Sequence, residues 1–146
     1  MHIRPFEDRD QAHVIALWQR CGLTRPWNDP VRDIARKAAV QADWFVVALS
    51  AEGGLVGSAM IGYDGHRGWI NYLAVDPTHQ GGGIGRALVA HAERVLTDVG
   101  CPKLNLQIRE SNTRAIEFYR RLGFQTDAAI SMGKRLIDDA GDSVTE

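Results

Sequence analysis

Apolar and polar positions along the chain change period several times, and each change marks an element. "HIRPF" (2–6) reads as a short first strand, with Pro5 favouring a sheet edge. Val14, Leu17, Trp18 and Cys21 then recur at helical spacing, with Asp8 or Asp10 as the cap and Gly22 as the stop. Asp29 followed by Pro30 is a cap with a first-turn proline, which predicts a second helix running to about Gln41. Three apolar runs, 44–50, 55–63 and 69–75, are separated by the turns "AEGG" and "DGHRG", the pattern of an antiparallel meander.

From Gly83 the period lengthens. Ile84, Leu88, Ala92, Val95 and Val99 define a helix that Gly100 stops. Leu104, Leu106 and Ile108 alternate with Asn105, Gln107 and Arg109, a half-buried strand over 103–109. Ser111 or Asn112 caps a further helix, whose inner face carries Ala115, Ile116, Phe118, Tyr119 and Leu122. Residues 124–136 predict one or two last strands, and the polar, acidic tail 138–146 is expected to fray. The order β α α β β β α β α β makes one mixed α/β domain over 1–137, followed by that tail.

Composition narrows the classes. The chain has 146 residues, enough for one core, with 45% hydrophobic and 24% charged residues. A net charge of −1 argues against a nucleic-acid binder. No apolar run approaches the roughly 18 residues of a membrane span, and "MHIRPFEDRD" lacks a signal-peptide core. Cys21 and Cys101 read as free thiols of a reducing, cytoplasmic compartment. No Cys or His pair has metal-ligand spacing, so no metal is expected.

The most informative stretch is "HQGGGIGRALVAH" (79–91). Glycines before a helix suit a phosphate, because the first amides of a helix lack partners and the dipole is positive there. A flexible loop with a glycine-tolerant cap is the plainer reading. Spacing tells the nucleotide motifs apart. A Walker A loop counted from Gly81 finds Arg86 where its second glycine belongs. The dinucleotide fingerprint fails too, with Leu88 or Arg86 at its third glycine, which disfavours a nicotinamide oxidoreductase.

What remains is Gln80-x-x-Gly83-x-Gly85 after Leu73-Ala74-Val75, followed by Asn112-x-x-Ala115-x-x-Phe118-Tyr119-x-x-Leu122-Gly123-Phe124. These two motifs, in this order, resemble the GNAT superfamily of acyl-CoA-dependent N-acetyltransferases, and the element order matches over roughly 2–136. "RPWNDP", "GYDGHRG" and "GKRLIDD" look like its small bacterial YpeA-like subgroup. The resemblance implies a central twisted mixed sheet of six to seven strands, splayed between 69–75 and 103–109 and flanked by about four helices.

It also implies acetyl-CoA as donor and a primary amine, on a small molecule or a protein, as acceptor, attacking directly in a ternary complex. Residues Gln80, Gly81, Gly82, Gly83, Ile84, Gly85 and Arg86 would hold the pyrophosphate. The backbone of Leu73, Ala74 and Val75 would pair with the pantetheine arm. Asn112 would bond that arm, and Tyr119 would be the general acid at the sulfur. The bland readings are a helix cap for Asn112 and an inner-face aromatic for Tyr119.

Family members carry a glutamate at one of two positions, which here are Gln107 and Trp69. The charged candidates for a base are therefore Asp64, His66 and Glu110, each of which also makes sense as a turn or pre-helix residue. Strict alternation puts Trp69, Asn71, Leu73 and Val75 on one face, so Asn71 and Gln107 would flank the splayed gap. Trp27, in the loop between the first two helices, is either an aromatic wall for the acceptor or a capping residue. A homodimer through the C-terminal strands is the association the family implies. The missing glutamates also leave a second reading, an acyl-CoA-binding sensor or interaction module without transfer.

Overall fold

In the computed structural model, which describes residues 1–140, one five-stranded sheet forms the centre. Its strands are β1 (His2–Pro5), β2 (Phe45–Leu49), β3 (Leu55–Tyr63), β4 (Gly68–Val75) and β5 (Leu104–Asn105), adjacent in that order. The first four pair antiparallel, and β5 joins β4 parallel. Helices α1 (Gln11–Arg20) and α2 (Pro30–Ala38) cover one face. Helices α3 (Ile84–Asp98) and α4 (Thr113–Arg121) cover the other.

Each face owns a core. Val14, Leu17, Trp18 and Ile34 of α1 and α2 pack on Phe45, Val47, Met60 and Ala74. Ile84, Leu88, Val89, Ala92 and Leu96 of α3 pack on Val46, Ala48, Val56, Ala59, Ile61 and Ile70. At about 25 cal/mol per Å² of apolar surface removed from water, these two layers are the main source of stability.

The helix caps follow the sequence. The Asp29 side chain accepts from the Val31 amide at 2.9 Å, with Pro30 opening α2. Asn112 accepts from the Ala115 amide at 3.1 Å and caps α4. The second helix stops at Ala38 rather than near Gln41. Gln41 turns left-handed (φ 55). Its side-chain amide pairs both ways with the backbone of Tyr63, at 3.0 Å each, as a neighbouring strand would.

The sheet has five strands, not six to seven. Residues 106–109 leave the ladder after Asn105, and 124–136 form no strand among the described residues. The latter segment is tethered by the Lys103–Asp127 ion pair at 2.8 Å and a Gln107–Ser131 bond. Past Phe124, which packs on the core, its large apolar side chains bury against nothing: Ile130, Met132 and Leu136 are 90%, 91% and 87% exposed. A strand without a packed face gains little from its pattern alone. The expected splay does appear, since β5 pairs only with Gly68 and Trp69, and β4 runs on from Ile70 to Val75 with that edge bare.

Alternation along β4 is broken. The β3–β4 register steps from Ser58↔Ala74 to Met60↔Asn71, so Ala59 faces both Tyr72 and Leu73. Tyr72 takes the left-handed conformation, φ 52, and forms a β-bulge there. Ile70, Leu73 and Val75 therefore share the α3 face, while Tyr72 and Ala74 face α1. Trp69 and Asn71 do not share a face with Leu73 and Val75, because the extra residue shifts the phase by one.

The expected fraying of 138–146 also fails at its start. Asp139 accepts from Arg36 at 2.6 and 3.0 Å and from the Asp29 amide at 2.8 Å, which docks the segment on the start of α2. The rest of that tail, 141–146, lies outside the described residues.

Candidate functional site

The glycine loop connects β4 to α3 at the end of the bare edge. Gly81 and Gly83 have φ of 86° and 89°, a region closed to most side chains, and no atom stands within 4 Å of a Cβ built on either. Backbone conformation, not space, requires glycine there. Gly83 is the residue before α3, and the Ala87 amide donates to its carbonyl at 3.0 Å. The amides of Ile84, Gly85 and Arg86 precede that first helical bond and point out of the helix end, the arrangement that receives an anion. The loop thus fits a pyrophosphate.

Gly82 has neither a positive φ nor a tight contact, its nearest neighbour being the His79 carbonyl at 3.5 Å. Gly85 is a packing glycine: a Cβ there would stand 3.1 Å from Phe118 of α4. Gln80 turns back from the loop, and its Nε2 donates to the Val75 carbonyl at 3.2 Å. The Cys21 thiol donates to the same carbonyl at 3.3 Å. These two bonds fix the end of β4 where the bare edge meets the loop.

Tyr119 of α4 packs in the α3-face core, the layer to which Ile70, Leu73 and Val75 of β4 also belong. Phe118 and Phe124 meet its ring edge-on at 5.0 and 5.4 Å. Burial pushes its pKa above the usual tyrosine range. Its hydroxyl has no hydrogen-bond partner among the described residues, yet no fully buried side-chain polar atom is unsatisfied there, so the hydroxyl opens onto accessible space. A buried ring with an open, neutral hydroxyl can donate a proton or a hydrogen bond.

The three charged candidates are spread out. Asp64 Oδ1 accepts from the His66 and Arg67 amides at 2.8 and 2.7 Å, and Oδ2 accepts from Trp69 Nε1 at 3.2 Å. Those bonds, the backbone ones foremost, hold its carboxyl below the usual range. His66 is exposed in the same turn. That turn precedes Gly68, and Gly68 to Leu73 alone spans roughly 17 Å of strand. Glu110 is exposed just before α4 and makes no hydrogen bond among the described residues. Asn71 is exposed, and Gln107 bonds Ser131. Trp27 is 42% exposed, so its ring is not part of the core, and its carbonyl accepts from Arg135 at 3.1 Å.

A cluster on the α1–α2 face gave no signal in the sequence. The Tyr72 hydroxyl donates to Asp33 at 2.6 Å, and Asp33 accepts from Arg36 at 2.9 Å. The Tyr72 ring stacks on Trp18 at 3.9 Å. Trp18 Nε1 donates to the fully buried Ser58 hydroxyl, which donates to the Tyr72 carbonyl, each at 2.9 Å. Nothing in the spacing of positions 18, 33, 58 and 72 announces that the bulge gathers them.

Comparison with known proteins agrees with this geometry. The sequence profile of the Acetyltransferase (GNAT) family matches residues 12–124. An acetyltransferase of Pectobacterium atrosepticum is 49% identical over 139 residues, covering 95% of this chain and 98% of its own. An acetyltransferase of Yersinia enterocolitica is 48% identical with the same coverage. Among solved structures, Ard1 from Thermoplasma volcanium superposes with a TM-score of 0.74 at 27% identity, covering 87% of this chain and 84% of that one. The ribosomal-protein-S18-alanine N-acetyltransferase from Escherichia coli gives a TM-score of 0.71 at 26% identity, covering 85% and 77%. The chain belongs to the GNAT acetyltransferase family and is an acyltransferase.

Proposed function

We propose that the protein transfers the acetyl group of acetyl-CoA to a primary amine by direct attack in a ternary complex. The observation that carries this reading is the edge of β4 from Ile70 to Val75, which no strand pairs and which leads into the glycine loop, with Tyr119 packed in the core on the same face of the sheet as Leu73 and Val75. Acetyl-CoA would supply an activated acetyl thioester along that edge. The amides of Ile84 to Arg86 bind the pyrophosphate, with the left-handed Gly81 and Gly83 shaping the loop around it. A backbone amide near Leu73 polarises the thioester carbonyl, and a fixed donor in a dry site stabilises the charge that develops there. The Tyr119 hydroxyl donates to the departing thiolate, and its raised pKa keeps the proton available.

Of the three charged candidates, Glu110 keeps an uncommitted carboxylate next to the motif that carries Tyr119, so it is the first to test for proton removal from the amine. The Asp64 carboxylate is engaged by its own turn. The S18-alanine acetyltransferase is a structural relative whose name specifies an alanine acceptor, which favours an α-amine for this chain. An α-amine has a pKa near 8 against about 10.4 for lysine, and needs less help to lose its proton. Free thiols at Cys21 and Cys101 suit a reducing cytoplasm, and no helix of the described residues is long and apolar enough to cross a membrane.

The test is thiol release from acetyl-CoA with a panel of small amines and N-terminal peptides. Turnover with at least one amine is expected. Tight coenzyme A binding with no turnover on any acceptor overturns transfer and leaves a binding module.

A further inference from the structure

The cofactor-side elements, the start of α3 and Tyr119 of α4, share one face of the sheet. Beyond Trp69 and Asn105 the parallel pairing ends, so from Ile70 on the edge of β4 borders both faces of the sheet with no strand beside it. There Tyr72 is the residue next to Leu73, and the bulge turns it toward α1 and α2. We propose that Tyr72, held by Asp33, is the anchor for the acceptor amine, a positioning residue that accepts one N–H of the incoming nitrogen. This inference rests on the acetyl-transfer reading and adds the acceptor's docking point to it.

The geometry favours acceptance over donation. The only hydroxyl proton of Tyr72 is committed to Asp33 at 2.6 Å. Its oxygen keeps a lone pair for a donor, and an amine has N–H to offer. Bonding the amine through N–H leaves the nitrogen lone pair free to attack. A tyrosine donating to that lone pair would quench it. Asp33 is itself held by Arg36 at 2.9 Å, and Arg36 is fixed by Asp139 at 2.6 and 3.0 Å.

The ring has little freedom either. It stacks on Trp18 at 3.9 Å, and its carbonyl is held by Ser58, whose hydroxyl also accepts from Trp18. Tyr72 is one of two non-glycine residues with a left-handed backbone among the described residues. Local strain that the surroundings hold this firmly is a recurrent mark of functional positions.

Calorimetry can isolate the anchor from the rest of the site. The probes are coenzyme A and three conjugates joining its sulfur, through an acetyl bridge, to the nitrogen of alaninamide, of ethylamine or of the lysine side chain. The wild-type protein is expected to bind at least one conjugate about tenfold tighter than coenzyme A, roughly the worth of one good hydrogen bond. In Tyr72→Phe and Asp33→Ala that gain falls to about threefold or less, while affinity for coenzyme A stays the same. Tyr72→Phe keeps the stacked ring, so it carries the test if Asp33→Ala does not fold. No gain with any conjugate in the wild type, or a gain untouched in both variants, overturns the anchor. Failure of the wild type to bind coenzyme A instead overturns the acetyl-transfer reading itself.

Discussion

Phe118 lies directly over Gly85: a methyl group on that glycine would stand 3.1 Å from the ring's Cζ and 3.4 Å from its Cε1. The two sequence motifs are therefore packed against each other, with α4 seated on the first turn of α3. The glycine run divides accordingly. Gly81 and Gly83 are needed for their backbone angles and Gly85 for space, and Gly82 is required by neither.

That division predicts an order of effects. Gly83→Ala forces a Cβ into the left-handed region and should cost about 1–2 kcal/mol, while weakening coenzyme A binding. Gly82→Ala should stay within about 0.5 kcal/mol of the parent. Thermal melts and calorimetry on the two variants check this, and equal losses would remove the conformational argument.

Tyr119→Phe should lower transfer by about 100-fold or more, leaving coenzyme A affinity nearly unchanged. Burial raises the Tyr119 pKa, so the group stays protonated beyond the ordinary tyrosine value near 10. A pH–rate profile should therefore show no falling limb from this residue below about pH 10. A limb in that range that disappears in the phenylalanine variant would contradict the assignment of a raised pKa.

Ser58→Ala removes the acceptor of the buried Trp18 N–H and the donor to the Tyr72 carbonyl. An unsatisfied buried donor costs about 1–3 kcal/mol, a fall in Tm of several degrees. If the Ser58 hydroxyl holds the bulge, kcat should fall as well, and a loss of Tm at constant kcat would confine Ser58 to a structural role.

Asp139 and Asp10 have carboxyls held below the usual range, chiefly by side-chain bonds from Arg36 and Arg4. A depressed carboxylate stabilises fully above its unfolded pKa, near 3.9, and loses that contribution as pH falls through its folded value. The contribution of these two carboxylates should therefore be flat from neutral pH down to about 4 and decline below it. Asp139→Asn should flatten the decline, as read by Tm between about pH 5 and 2, and an unchanged slope would show that the ion pair carries no linkage.

The sequence conveyed the architecture because periodicity reports which face of an element is buried. Ile84, Leu88 and Ala92 had to meet a sheet, and they do, but at the far end of the helix Leu96 takes the core position while Val95 is only partly buried and Val99 is exposed. The loop was legible for the same kind of reason, since glycine before a helix is a backbone statement. The final strands were not, because alternation at Ile130 and Met132 says nothing about whether a partner edge exists. The bulge was hidden too. Left-handed backbone is normally announced by glycine or asparagine, and here it falls on a tyrosine. Asp33 looked like any acidic residue in a first helical turn, and only the folded chain brings it to Tyr72.

The bulge also sets how this strand tolerates change. Facing is counted afresh from Tyr72 onward, so the sides of Leu73, Ala74 and Val75 are dictated by the Trp18–Ser58 clasp rather than by the length of chain before it. Insertions in the exposed "DGHRG" turn can therefore accumulate without rotating the cofactor edge. A deletion of one residue at 72 would invert it. The tyrosine is a phase break that insulates the chemistry at one end of β4 from drift at the other.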